Sequence, residues 1–125
     1  MLKLILIGAG GFFGAILRYL GSGLGERLTS NALLPYGTMT VNLIGCVGIG
    51  LVAGLAEHRG VFSQSTREFL TIGLLGGFTT FSAFGHETYE LVRRGQMTLA
   101  GTNVLLQVAA GIAGVWLGYS LSRMV

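Results

Sequence analysis

Aspartate is absent from this chain, and glutamate occurs only five times. That scarcity removes most carboxylate-pair catalysis and most hard-metal sites. A single cysteine, Cys46, sits in the apolar run TVNLIGCVGIG. It cannot form an internal disulfide or a Cys-based zinc site, and it reads as a buried, inert thiol. The one proline, Pro35, stands just before a long apolar stretch. Charge of both signs is scarce, at 10% of residues, whereas a soluble domain carries about 25%. So little charge cannot cover a surface facing water. With 51% hydrophobic residues and a mean hydropathy of +0.70, the chain has the membrane as its natural solvent. Its eight basic residues give a net charge of +3. They are scattered singly or in one pair, so no nucleic-acid patch is present.

What is abundant is apolar length. A membrane-crossing helix needs about 20 mostly apolar residues. Four segments qualify: Leu2 to Leu24, with Arg18 inside it; Tyr36 to Ala56, uncharged; Phe69 to Val92; and Thr98 to Leu121. The connections GERLTSNALLP, EHRGVFSQSTRE and RRGQ are short and polar. None is long enough to be a domain, so residues 1–125 are expected to form one four-helix transmembrane domain. No internal repeat or low-complexity tract is present. The first apolar run continues well beyond a signal-peptide h-region, and no small-residue cleavage motif follows it cleanly. It is read as a retained span.

Glycine is also abundant, at 22 residues. It recurs four apart at Gly10 and Gly14, Gly21 and Gly25, Gly50 and Gly54, Gly73 and Gly77, and Gly114 and Gly118. Small-xxx-small spacing lets helix backbones approach closely in lipid. The repetition predicts tight packing, within the subunit and between subunits. The opening LKLILIGAGGFFGAILR imitates a dinucleotide-binding turn, with Glu26 as its acidic residue. No strand and helix alternation follows, and a glycine-packed membrane helix accounts for the same residues.

Basic residues specify no orientation. With four spans, Lys3, Arg59, Arg67 and Arg123 share one side, while Arg27, Arg93 and Arg94 lie on the other, with Arg18 near that end of the first span. Basic residues normally collect on the cytoplasmic side. A balanced tally predicts insertion both ways, and a small protein that inserts both ways can pair with its inverted copy. Four short helices enclose little space alone, which also calls for an oligomer.

The third span contains GGFTTFSAFGHE, residues 76–87. Gly76 and Gly77 weaken a helix, and Thr79, Thr80 and Ser82 then offer N-caps for a restart. The pattern predicts a helix broken at mid-membrane, although a packing kink would use the same residues. A break presents carbonyls that favour a cation and N–H groups that favour an anion. Phe81 and Phe84, three apart, share a face. They fit a core as well as a pore, where positive ring edges could face an anion. Asn42 needs a partner in lipid, and position alone leaves interhelical bonding and a pore role equally open. Gln107 stands in the same position on the fourth span. Arg18 can draw anions to a vestibule or snorkel to headgroups.

The chain resembles the Fluc, or CrcB, family of small bacterial fluoride channels. The resemblance rests on GGFFGAILRY (10–19), GTMTVNLIG (37–45) and GGFTTFSAF (76–84), in order on three successive spans. It implies an all-α, four-span, multi-pass protein of the bacterial inner membrane that acts as an antiparallel, dual-topology homodimer. It further implies passive fluoride export and no enzyme chemistry. Carried over by motif, Phe81, Phe84, Asn42, Ser82 and Thr80 line the pore, with Thr38 beside them; Gln107 is placed in the pore wall by its position on the fourth span. Arg18 and Glu87 belong to the vestibule and the pore end. The carbonyls of Gly76 and Thr79 hold one structural sodium ion on the dimer axis. Two departures stand out. Ala83 replaces a customary threonine, and Asn103, Gln107 and Gly111 occupy the fourth-span wall where tyrosine and serine are frequent. A proton-coupled multidrug transporter is an alternative with four spans, but it needs an embedded carboxylate, and the first span has none before Glu26. A membrane assembly subunit is a further alternative.

Overall fold

The computed structural model describes residues 1–29 and 33–124. Helix α1 runs Leu2–Leu28 and α2 runs Tyr36–Arg59. A short α3, Gln64–Glu68, leads into a π-helical segment, Phe69–Leu75, and then α4, Gly76–Phe78. Helix α5 covers Phe81–Arg93 and α6 covers Met97–Leu121. No strand occurs among the described residues. Helices α1, α2 and α6 are each long and apolar enough to cross a membrane. The third apolar stretch is divided into shorter pieces. The connection at 30–32 lies outside the described residues.

Local chemistry sets these boundaries. Gly60 ends α2 in the left-handed region at φ 60°. Gly95, at φ 72°, closes α5 with the paired bonds of a Schellman turn: the Gln96 N–H donates to the Leu91 carbonyl and the Gly95 N–H to the Val92 carbonyl, both at 2.9 Å. Ser63 caps α3, its hydroxyl accepting from the Thr66 N–H at 3.2 Å. Lys3 of α1 pairs with Glu68 at 2.7 Å, tying the start of α1 to the end of α3. That partner holds the Glu68 carboxyl below its ordinary range.

The glycine pairs explain the packing. Helix α1 lies against the π-helical segment and α4, and α2 lies along α6. A Cβ on Gly10 would stand 2.8 Å from the Phe69 carbonyl oxygen, and one on Gly77 would stand 2.7 Å from that of Gly11. Gly118 meets the Val47 carbonyl, and Gly50 meets that of Val115, just as closely. Gly25 faces Gly37 across α1 and α2. All five pairs are therefore used inside one subunit, and Gly77 serves contact rather than flexibility. Adding side chains there would force the backbones apart.

The surface is the reverse of a soluble protein's. The largest fully buried side chains are Val41, Asn103 and Ser122, two of them polar. Phe12, Phe13, Ile112 and Trp116 are all more exposed than half. Apolar side chains outward and small or polar ones inward is the arrangement a lipid solvent demands.

Candidate functional site

The third apolar stretch leaves helical geometry at Thr79 (φ −89°, ψ 163°) and Thr80 (φ −152°, ψ 115°), both extended. The interruption falls two residues after the glycines, because Gly76 itself remains helical at φ −64° and ψ −37°. The preceding turns are π-helical, a form that recurs beside functional sites. Thr80 then caps α5, its hydroxyl accepting from the Ala83 N–H at 3.2 Å. Such a cap contributes about 1 kcal/mol.

Two extended residues release backbone groups that lipid cannot satisfy. Asn42, on the facing side of α2, takes those of Thr80. Its Oδ1 accepts from the Thr80 N–H at 2.8 Å, and its Nδ2 donates to the Thr80 carbonyl at 3.1 Å. The side chain thus imitates a neighbouring strand. Nδ2 also donates to Gln107 Oε1 at 2.9 Å, so both amide protons of Asn42 are engaged. Gln107 Nε2 donates onward to Asn103 Oδ1 at 3.1 Å, and Asn103 Nδ2 donates to the Thr88 hydroxyl at 2.9 Å. Of the two roles that position allowed Asn42, the structure shows the interhelical bonds.

Around this clasp lies a groove of about 320 Å³ between α2, α6 and the interrupted segment. It gathers Asn42, Gly76, Thr79, Thr80, Phe81, Phe84 and Gln107, together with Cys46. The Phe81 and Phe84 rings sit 5.5 Å apart and tilted by 57°. Phe81 is 82% exposed on the single subunit, so the groove wall is open on that side. Ser82 is exposed, with its hydroxyl 3.3 Å from that of Thr80.

The remaining residues singled out from sequence lie apart from the groove. Thr38 is buried and donates to Glu87 Oε1 at 2.5 Å, towards the far end of α5. Glu87 Oε2 is buried without a hydrogen-bond partner. Arg18 approaches the interruption from the opposite side, where Nη1 donates to the Thr79 carbonyl at 3.4 Å. Thr88 was not singled out from sequence. A threonine four residues beyond a phenylalanine carries no signal of its own, and only the fold shows that its hydroxyl meets Asn103.

A family model described as CrcB-like protein, Camphor Resistance (CrcB), matches residues 5–119. This chain belongs to the CrcB family. It is 42% identical over 124 residues to the "Fluoride-specific ion channel FluC" of Methylobacillus flagellatus, covering 99% of this chain and 97% of that protein. Identity to the protein of the same name from Solibacter usitatus is 44% over 124 residues, covering 98% and 99%. "Fluoride-specific ion channel FluC 3" of Methanosarcina barkeri is 41% identical over 122 residues, covering 98% and 91%. CrcB membership together with three membrane-length helices makes this a multi-pass membrane protein. The groove and its amide clasp are thus features of a CrcB subunit.

Proposed function

We propose that this CrcB protein is a passive, fluoride-selective channel that works as an antiparallel dimer, with the helix interruption at mid-membrane and the groove beside it as the fluoride path. The groove geometry carries the path: Phe81 and Phe84 share one wall with the backbone turn that Asn42 holds open. Fluoride is small and strongly hydrated, so a path must replace its water without binding it tightly. Weak sites in series meet that requirement. The Thr80 and Ser82 hydroxyls and the second Nε2 proton of Gln107 offer donors, while the phenylalanine ring edges offer weak positive potential. Asn42 supports the path chiefly by shaping it, because its own protons are taken. The relatives named above are fluoride channels by name, which favours this reading over a transporter, an assembly subunit or an enzyme. Purified protein in liposomes, with a potassium ionophore carrying the counter-ion, should release trapped fluoride to an external electrode with no energy source. Vesicles that retain fluoride as protein-free ones do would refute the channel.

The structural sodium ion belongs to the same proposal. In a continuous helix the Thr80 N–H would donate to the Gly76 carbonyl, but here it donates to Asn42. The Gly76 oxygen is thereby left without its helical donor, and the Thr79 oxygen meets only the long Arg18 contact. Neutral carbonyls at a helix C-terminal end suit a hard monovalent cation. Two subunits about a two-fold axis would supply four such oxygens. Bound there, a sodium ion would neutralise the carbonyl ends and fix the interface. A structure determined in sodium should show an oxygen-ligated density on the dimer axis. A centre with water-like ligation, or none, would remove the ion from the account.

A further inference from the structure

We propose that Thr88, Asn103 and Gln107 form a one-way hydrogen-bond chain that positions the Phe81–Phe84 pair, a role that rests on the fluoride-channel reading above. Both ends of the chain are backbone groups, and these fix its direction. The Thr80 N–H can only donate, and it is held by Asn42 Oδ1 at 2.8 Å. At the other end the Phe84 carbonyl can only accept, and it takes the single Thr88 hydroxyl proton at 2.7 Å. With that proton spent, Thr88 Oγ1 can only accept, so Asn103 must present Nδ2, at 2.9 Å. Asn103 Oδ1 then faces Gln107 Nε2 at 3.1 Å, and Gln107 Oε1 faces Asn42 Nδ2 at 2.9 Å. Turning any one amide over would set donor against donor and acceptor against acceptor. Asn103 has 0% exposure, so water cannot repair such a mismatch, and an unmade buried bond is costly.

The two anchors bracket Phe81, Ser82 and Ala83, and Phe84 is itself an anchor. Helix α5 needs such a grip. Its packing against α6 is slight beside that of α2 on α6, and its contact with α2 is slighter still. Within the subunit, little packing holds α5 in place. A threonine hydroxyl bonded to the carbonyl four residues back is common in helices. What distinguishes Thr88 is the second bond, from a fully buried amide on another helix.

The test compares Thr88→Val, Asn103→Leu, Thr88→Ser and the Thr88→Val/Asn103→Leu double variant with wild type. Thr88→Val is nearly isosteric and keeps the fold testable if Asn103→Leu fails to assemble. Fluoride efflux from liposomes should fall at least about tenfold in Thr88→Val and Asn103→Leu, while Thr88→Ser stays within about threefold of wild type. Because one cut severs the whole chain, the double variant should be no slower than the slower single one. Hydrogen exchange at the Thr80 N–H, which needs no fluoride flux, should accelerate in both single variants and return to the wild-type rate in Thr88→Ser. Wild-type flux in Thr88→Val, multiplicative loss in the double variant, or unchanged Thr80 exchange would each overturn the chain. If wild type itself carries no fluoride, the channel reading falls, and the exchange rates alone decide whether the chain holds Thr80.

Discussion

Two or three lysines added to the C-terminal tail are expected to abolish fluoride flux, and co-expression with an oppositely biased copy is expected to restore it. The expectation starts from the balanced basic residues on the two sides of the spans. Orientation follows the lysine and arginine bias near the span ends, so a few added charges should impose one direction. A channel built from inverted copies then loses its partner, whereas the fold of each subunit is untouched. The proposed path needs a partner on this side. Phe81 is 82% exposed beside the groove, and ring edges cannot guide an ion along a wall with no opposite side. Since all five glycine pairs are used within the chain, the partner would meet other surfaces than the sequence pattern suggested. Efflux from vesicles holding each biased form alone, and both together, checks the outcome. Conduction by a one-way form alone would contradict the antiparallel dimer.

Replacement of Phe81 or Phe84 by isoleucine is expected to lower fluoride flux by at least about tenfold, equal to roughly 1.4 kcal/mol of barrier. Isoleucine keeps most of the bulk and the apolar character. It removes the ring quadrupole, whose positive edge attracts an anion without trapping it. Neither ring is deeply buried, so the change opens no large core cavity and the dimer should persist on size-exclusion chromatography. Methionine should be milder, because its polarisable thioether and terminal methyl carry part of the same potential. Wild-type flux in both isoleucine variants would reduce the rings to packing.

Three of the four apolar spans were legible as membrane-length helices because lipid imposes a length, and the glycine pairs because close helix contact imposes a spacing. The motif GGFTTFSAF contains the two residues where helical geometry lapses, and Thr80 does cap the following helix. The site of the interruption was not legible. Adjacent glycines are weak helix formers, but here close contact between Gly77 and Gly11 keeps them helical, and Asn42 stabilises the extended Thr80 from 38 residues away. Propensity cannot anticipate a partner so distant in sequence. For the same reason the Asn42 protons could not be assigned until Thr80 and Gln107 stood beside them. Asn103 and Gln107 were visible as departures from the family pattern, but not as one connected chain through Thr88. Nor could sequence show that the Arg18 guanidinium reaches the Thr79 carbonyl.

The most direct test of the central claim is paired efflux of fluoride and chloride from liposomes containing only the purified protein. The groove offers weak donors and ring edges fitted to a small anion, and no carboxylate is among its described lining residues. The account predicts rapid fluoride release, chloride retention close to that of protein-free vesicles, and no need for a proton gradient. Equal release of both halides, or fluoride release only when a proton gradient drives it, would contradict it.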